Sequence, residues 1–191
     1  MVSKAKNNEI GAALLLSVAL VVCHITDAAP GKVGVFIGCS WWQHHTYQFF
    51  HAGILHLFIN IWCILSIIVC YRAYMYEMIL AYIISALLPG FLLSDLPTIG
   101  LSGMVLALAG LVSADVRNKK LYYGFMSVFL VIGFFFPHCN ALLHLWSFSI
   151  GTMNAYLIKG VLRLRISKHQ PCRGASWSDR LNCKPQRLLK I

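Results

Sequence analysis

The chain alternates between long apolar stretches and short polar connections. Six apolar segments stand out, and most approach the roughly twenty residues that cross the hydrocarbon core of a bilayer as a helix. The segments lie at residues 10–26, 49–70, 78–94, 101–114, 121–137 and 141–162. This pattern predicts an all-α fold, a polytopic membrane protein with a bundle of six transmembrane helices over residues 1–165.

The fourth segment is short and begins directly after Thr98-Ile99-Gly100. Irregular backbone at membrane depth is tolerated only where protein or water surrounds it. A short helix entered through a glycine turn therefore indicates a functional site at this position.

The first segment has two interpretations. Lys4 and Lys6 precede it and Ala28-Ala29 follow it, as in a secretory signal peptide. Pro30 follows those alanines at once, and an even number of spans requires this helix. We therefore favour a retained first helix.

The composition excludes an ordinary soluble domain. Hydrophobic residues make up 59% of the chain and charged residues only 12%, whereas soluble domains carry about 25% charged residues. On the six-helix reading, fifteen of the sixteen Lys and Arg residues fall on one side and only Lys32 on the other. This asymmetry predicts a multi-pass protein with both termini in the cytoplasm, and the compact six-helix form favours a bacterial inner membrane.

The net charge of +10 does not indicate nucleic-acid binding, because the basic residues flank apolar segments or gather near the C-terminus. Residues 166–191 are basic and contain Pro171 and Pro185. We expect this region to be a cytoplasmic tail that is disordered or lies on anionic lipid.

The seven cysteines include no CxxC pair, so neither a zinc site nor a disulfide framework is expected. Cys39 and Cys139 share the predicted outer side, which leaves a disulfide between them open. His44, His45 and His138 are interpreted as membrane-interface residues, not metal ligands.

Polar side chains inside apolar spans are costly and need a reason. They occur near the predicted outer ends of three spans: His51, His56 and Asn60 in the second, Ser102 in the fourth and His144 in the sixth. A serine nucleophile needs a base, and histidine is the usual one. Because no Asp or Glu is placed to orient His144, a catalytic dyad is favoured over a triad.

The oxyanion that develops during acyl transfer needs donors fixed in advance. The backbone N–H of Ser102 and the side chains of His56 and Asn60 are the candidates. For the dyad to form, the fourth and sixth segments must approach closely, and both carry small residues at helical spacing. These are Gly103, Ala107 and Gly110 in the fourth, and Ser147, Gly151 and Ala155 in the sixth.

Taken together, these motifs resemble those of the rhomboid intramembrane proteases. His51, His56 and Asn60 are similar to the family's second-helix motif, and Gly100-Leu101-Ser102-Gly103 matches its GxSG nucleophile motif. His144 followed by Gly151 resembles the sixth-helix base motif, and Trp42 precedes His51 at the expected distance. The resemblance covers residues 41 to 155.

The resemblance implies peptide-bond hydrolysis in or near the membrane segment of single-span membrane proteins, without a cofactor. It implies Ser102 and His144 as catalytic residues, Ser102, His56 and Asn60 as oxyanion donors, and supporting roles for the residues His51, Gly100, Gly103 and Gly151. The chain departs from the family pattern at Gln43, Leu106 and Ser147, where arginine, an aromatic residue and glycine are usual.

Two other interpretations stay open at this point. A rhomboid-like pseudoprotease would bind membrane clients without cutting them, although such proteins typically lack Ser102 or His144. An unrelated six-helix transporter would explain intramembrane histidines but not a GxSG motif at a helix start. The sequence predicts nothing about the oligomeric state.

Overall fold

The computed structural model describes residues 2–136 and 139–168, with side chains over 7–136 and 139–161. The described chain is all-α. Its helices are α1 (Val2–Ile25), α2 (Pro30–Val33), α3 (Gln43–Thr46), α4 (Ile54–Tyr71), α5 (Met75–Ala86), α6 (Ser102–Val112), α7 (Lys119–Gly133) and α8 (Ala141–Lys168). Single 3-10 turns occupy Tyr47–Phe49 and Gly90–Leu92.

Each of the six predicted apolar segments overlaps one of the long helices α1, α4, α5, α6, α7 and α8. Within the described residues, two stretches are long and apolar enough to cross a membrane by length and composition, Asn7–Ile25 and Ile54–Tyr71. Helices α5 and α6 are apolar but shorter.

Several predicted boundaries are wrong, among them the start of α4 and the end of α5. The second segment was expected to be helical from residue 49, but Gly53 is fully extended, with φ −178° and ψ 164°, and α4 begins only at Ile54. His51 therefore precedes the helix instead of lying in it. Helix α5 ends at Ala86, well short of residue 94, because Pro89 follows and the residue before a proline disfavours helical geometry.

The last helix is longer than the apolar segment that predicts it. Helix α8 continues to Lys168, so the first residues of the predicted tail are helical. The remainder of that tail, residues 169–191, lies outside the described residues. By its internal contacts the chain divides into a unit up to Tyr156 and a second unit from Leu157, of which only the last turns of α8 are described.

The main core of the first unit is built from α1, α4, α5 and α6. Its fully buried members include Ala13, Leu20, Ile64, Ala81 and Leu108. Helix α6 lies at the centre, since every residue from Gly103 to Val112 is buried. The helix that carries Ser102 is thus held by protein on all sides.

The loop between α1 and α4 is tied down by a buried glutamine. Gln43 is 4% exposed, and its Nε2 donates to the carbonyl oxygens of Gly34 at 2.8 Å and Gly31 at 3.2 Å. Its Oε1 accepts from the N–H of Ser40 at 2.8 Å. Gln43 therefore anchors the loop where the family often has arginine.

Tyr47 connects the same loop to two helices. Its hydroxyl donates to the carbonyl oxygen of Ser85 in α5 at 2.8 Å, and its own carbonyl accepts from the N–H of Gly100 at 2.9 Å. Because Tyr47 is fully buried, these bonds fix the loop against the turn that precedes α6.

Candidate active site

The turn before α6 depends on the glycine at position 100. Gly100 has φ +132°, a region that L side chains rarely adopt. A Cβ at this position would also lie 2.6 Å from Cε1 of His56. A side chain is therefore excluded twice, by backbone conformation and by the imidazole that packs over the turn.

The same turn is held by hydrogen bonds on both sides of Gly100. The N–H of Leu101 donates to Nε2 of His51 at 3.3 Å, next to the bond from Gly100 to Tyr47. Ser102 then becomes the first residue of α6. The N–H of a first helical residue has no acceptor within its own helix, so this donor is available to a ligand.

Ser102 and His144 are in direct contact. Nε2 of His144 lies 2.8 Å from Oγ of Ser102, within the range of a strong hydrogen bond. Both side chains are partly exposed, so a substrate could reach them. The two residues that the sequence predicts as nucleophile and base are 42 positions apart in the chain and meet only in the tertiary structure.

Glycines allow the close approach of α6 and α8 that this contact requires. A Cβ on Gly151 would collide with the carbonyl oxygen of Ala107, and one on Gly110 would lie 2.6 Å from the backbone nitrogen of Thr152. Ser147 is completely buried. Its Oγ has no hydrogen-bond partner among the described residues, so the serine at this departure from the family pattern fits sterically but leaves one buried polar atom unsatisfied.

Gly103 serves the contact with the first turn of α8. A Cβ on Gly103 would lie 2.9 Å from Cδ2 of Leu143 and 3.0 Å from the hydroxyl oxygen of Tyr47. A side chain larger than hydrogen at the residue after Ser102 would therefore require Leu143 or Tyr47 to shift.

Of the candidate oxyanion donors, His56 packs against the turn before α6, and Asn60 lies one helical turn further along α4. The rings of His51 and His56 pack edge to face, with centroids 5.1 Å apart. Asn60 is 4% exposed, and its Nδ2 donates to the carbonyl oxygen of His56 at 2.8 Å. One amide hydrogen is thus committed within α4, which leaves one for a ligand.

Two residues at the start of α8 were missed by the sequence analysis. Oδ1 of Asn140 accepts from the N–H of Leu143 at 3.0 Å, the bond of a helix N-cap. Its Nδ2 donates to the carbonyl oxygen of Leu92 at 3.1 Å. An asparagine directly before an apolar segment is a recognised start signal, so the sequence carried this information.

The second missed residue is Cys139, for which the sequence offered no signal. Its Sγ lies 3.4 Å from Nδ1 of His144. Cys39 and Cys139 are both free thiols, so the disulfide left open by the sequence is not formed in this structure. His44 and His45 lie in α3, and His138 lies outside the described residues.

Leu106, the third departure from the family pattern, is buried. It packs in a cluster with Ala109, Leu130 and Phe148. Among the described side chains, no aromatic ring stacks on His144. The ring of the predicted base is therefore held by its two nitrogens, which contact Ser102 and Cys139.

Comparison with protein families gives one match over most of the chain. The family described as Rhomboid domain matches residues 38–158. The chain belongs to the rhomboid family. The match to this rhomboid domain begins in the loop before α3 and ends in α8, so it includes every predicted site residue. This family match excludes the interpretation of the chain as an unrelated six-helix transporter. A direct comparison with curated proteins finds no match.

The rhomboid family includes both serine proteases and inactive homologues. Family membership alone therefore does not decide between cutting and escorting membrane proteins. The apolar helices of the chain agree with an integral membrane protein of this family.

Proposed function

We propose that this rhomboid protein is an intramembrane serine endopeptidase that cuts single-span membrane proteins in or near their transmembrane segments. The observation that carries the proposal is the 2.8 Å contact between Oγ of Ser102 and Nε2 of His144. A serine at a helix start whose hydroxyl meets an imidazole has the geometry of an activated nucleophile. An inactive homologue would need neither group.

In the proposed mechanism, His144 acts first as a base and then as an acid. Its Nε2 takes the proton of Ser102 as Oγ attacks the scissile carbonyl carbon. The same proton then passes to the leaving amine when the peptide bond breaks, which leaves an acyl-enzyme on Ser102. A water molecule, deprotonated by His144, hydrolyses that ester and restores the serine.

The negative charge of each tetrahedral intermediate requires donors that are already in place. The backbone N–H of Ser102, the imidazole of His56 and the second amide hydrogen of Asn60 are proposed to supply them. His51 has a supporting role, because its Nε2 accepts from Leu101 and so holds the backbone next to the nucleophile. These groups complete the chemistry without a cofactor.

We further propose that all six long helices cross the membrane and that residues 1–165 form one protease domain. The distribution of Lys and Arg supports cytoplasmic ends for α1 and α8. Burial of Ala13 and Leu20 in the main core supports retention of α1. In this arrangement Ser102 and His144 lie towards the outer surface, where water can reach them.

Cleavage of a panel of tagged single-span proteins in lipid vesicles tests the function. The purified wild-type chain, Ser102→Ala and His144→Ala are compared, with product masses locating the cut. Cleavage near the membrane segment by the wild type alone supports the proposal. Equal cleavage by Ser102→Ala contradicts the assigned nucleophile, and binding of the panel without cleavage by any of the three supports a pseudoprotease.

A further inference from the structure

Both ring nitrogens of His144 have a partner. Nε2 contacts Ser102, and Nδ1, on the other side of the ring, contacts the thiol of Cys139. Nε2 faces Oγ of Ser102 at 2.8 Å, while Nδ1 faces Sγ of Cys139 at 3.4 Å. The second distance is ordinary for a hydrogen bond that involves the larger sulfur atom. In a serine triad, a carboxylate occupies this second position and fixes the tautomer of the histidine.

The sulfur is held in place by the backbone around it. The N–H of Cys139 donates to the carbonyl oxygen of Phe136 at 3.0 Å, and its own carbonyl accepts from Ala141 at 2.9 Å. The next residue, Asn140, caps α8, and its carbonyl accepts from the N–H of His144 at 3.1 Å. Cys139 and His144 therefore belong to one hydrogen-bonded turn, which fixes the backbone positions from which their side chains meet.

The chemistry of the base assigns a direction to this contact. To accept the proton of Ser102, His144 needs a lone pair on Nε2, so its own proton must be on Nδ1. That Nδ1–H needs an acceptor, and no carboxylate among the described residues is hydrogen-bonded to it. Thiol sulfur is a weak acceptor, and burial raises the pKa of Cys139, so the group stays neutral.

We propose that Cys139 is a positioning residue that accepts the Nδ1–H of His144 and so keeps the base in its productive tautomer. This inference rests on the proposed protease function. Cys139 acts through His144 and touches neither the substrate nor the reacting atoms. Cys139 would then take the position that a carboxylate has in a catalytic triad, as a weaker hydrogen-bond acceptor for His144.

Kinetics of three full-length variants test the role in vesicles. Cys139→Ala removes the acceptor, and the loss of one modest hydrogen bond predicts a fall in kcat of roughly three- to tenfold with KM unchanged. Cys139→Ser restores an acceptor and should recover part of kcat. Cys39→Ala is the matched control, because Cys39 is also a partly buried free thiol but packs against the cluster around Tyr47.

A second measurement reads the tautomer directly and does not need activity. Nitrogen NMR of labelled histidine, with the His144 signals assigned by their loss in His144→Asn, should show Nδ1 protonated and Nε2 bare in the wild type. Cys139→Ala should shift this signature towards a mixture. The experiment can be repeated in Ser102→Ala, in which we expect no cleavage.

The outcomes separate the two proposals. If the wild type shows no Ser102-dependent cleavage, the protease function fails, and the tautomer still decides the role of Cys139. If the wild type cuts and Cys139→Ala keeps its full kcat, the positioning role is overturned while the protease stands. A wild-type His144 protonated on Nε2 overturns it as well. If Cys139→Ala folds poorly, the kcat of Cys139→Ser and the tautomer seen in the wild-type spectrum decide whether Cys139 positions His144.

Discussion

Helices α6 and α7 are consecutive helices that the apolar pattern predicts, yet they are buried to opposite extents. In α6, every residue from Gly103 to Val112 is buried. In the described α7, Leu130 is the single buried residue. The difference follows from side-chain size, because Gly103, Ala107 and Gly110 let neighbouring backbones approach.

The exposed side chains of α7 are large. Phe125 is 68% and Phe129 is 54% exposed, as suits a helix whose outer face meets lipid tails. Helix α7 is joined to α6 at few points, among them the hydrogen bond from the hydroxyl of Tyr122 to the carbonyl oxygen of Ala109 at 2.7 Å. We infer that the apolar pattern identifies both helices, and that only the packing shows which of them is enclosed by protein and which is exposed.

The largest expected effect compares one serine on each helix. Ser102→Ala should lower kcat by about 10⁴-fold or more, as removal of a serine nucleophile does elsewhere, without changing the unfolding midpoint. Ser127→Ala, at an exposed position of α7, should leave both unchanged. Single-turnover cleavage in vesicles measures the loss of kcat. Equal losses in the two variants would remove the distinction between the helices.

The next effect concerns the imidazole that packs over the start of α6. His56→Ala should lower kcat by about 10²- to 10³-fold, the usual cost of one oxyanion donor. Asn60→Ala should cost less, because one of its amide hydrogens already binds within α4. Trp62→Ala is the control on the same helix, being 65% exposed. A change in KM with unaltered kcat would instead assign His56 to substrate binding.

A glycine at the contact between α6 and α8, compared with a glycine on α7, tests whether close packing holds the site together. Gly151→Ala places a Cβ against the carbonyl oxygen of Ala107, and such overpacking should lower the free energy of unfolding by about 1–3 kcal/mol. It should also lower kcat, since His144 moves with α8. Gly124→Ala in α7 meets no atom within 4 Å and should stabilise the helix by up to about 1 kcal/mol.

Unfolding in mixed micelles with and without each glycine substitution measures these changes. If Gly151→Ala is as stable and active as the wild type, the helices separate easily, and close packing does not determine the Ser102–His144 distance.

A smaller effect, on the free energy of unfolding alone, is expected when a large apolar side chain of α6 is truncated and compared with one of α7. Leu111 in α6 is 2% exposed, and Leu111→Ala should lower the free energy of unfolding by about 2 kcal/mol, the low end for buried leucines. The low end applies because lipid, unlike water, solvates the unfolded helices. Phe125→Ala should change it little. A larger loss for Phe125→Ala would indicate a protein contact on the outer face of α7.

The smallest effect tests the attachment of α7. Tyr122→Phe removes the donor to Ala109 and should lower the free energy of unfolding by about 1 kcal/mol. Cleavage of substrate should persist, since no predicted site residue lies on α7. Complete loss of cleavage in this variant would show that α7 takes part in the chemistry and not only in the outer wall of the bundle.

Much of the site could be predicted because its members lie in short motifs. Gly100-Leu101-Ser102-Gly103 is contiguous, and His56 and Asn60 are one helical turn apart, so local spacing was sufficient to identify them. The start of α4 was placed too early, because apolar character continues through Phe49 and Phe50 while the backbone at Gly53 is extended. Hydropathy does not record that change.

The sequence by itself determined the six apolar segments, the family motifs and the identity of the candidate nucleophile and base. These are properties of neighbouring residues, read from spacing and composition. Tertiary structure alone decided that α6 is buried while α7 is exposed, that Gln43 anchors the loop between α1 and α4, and that Cys139 faces Nδ1 of His144. Each depends on which helices pack together, and packing is set by the shapes of surfaces distant in sequence.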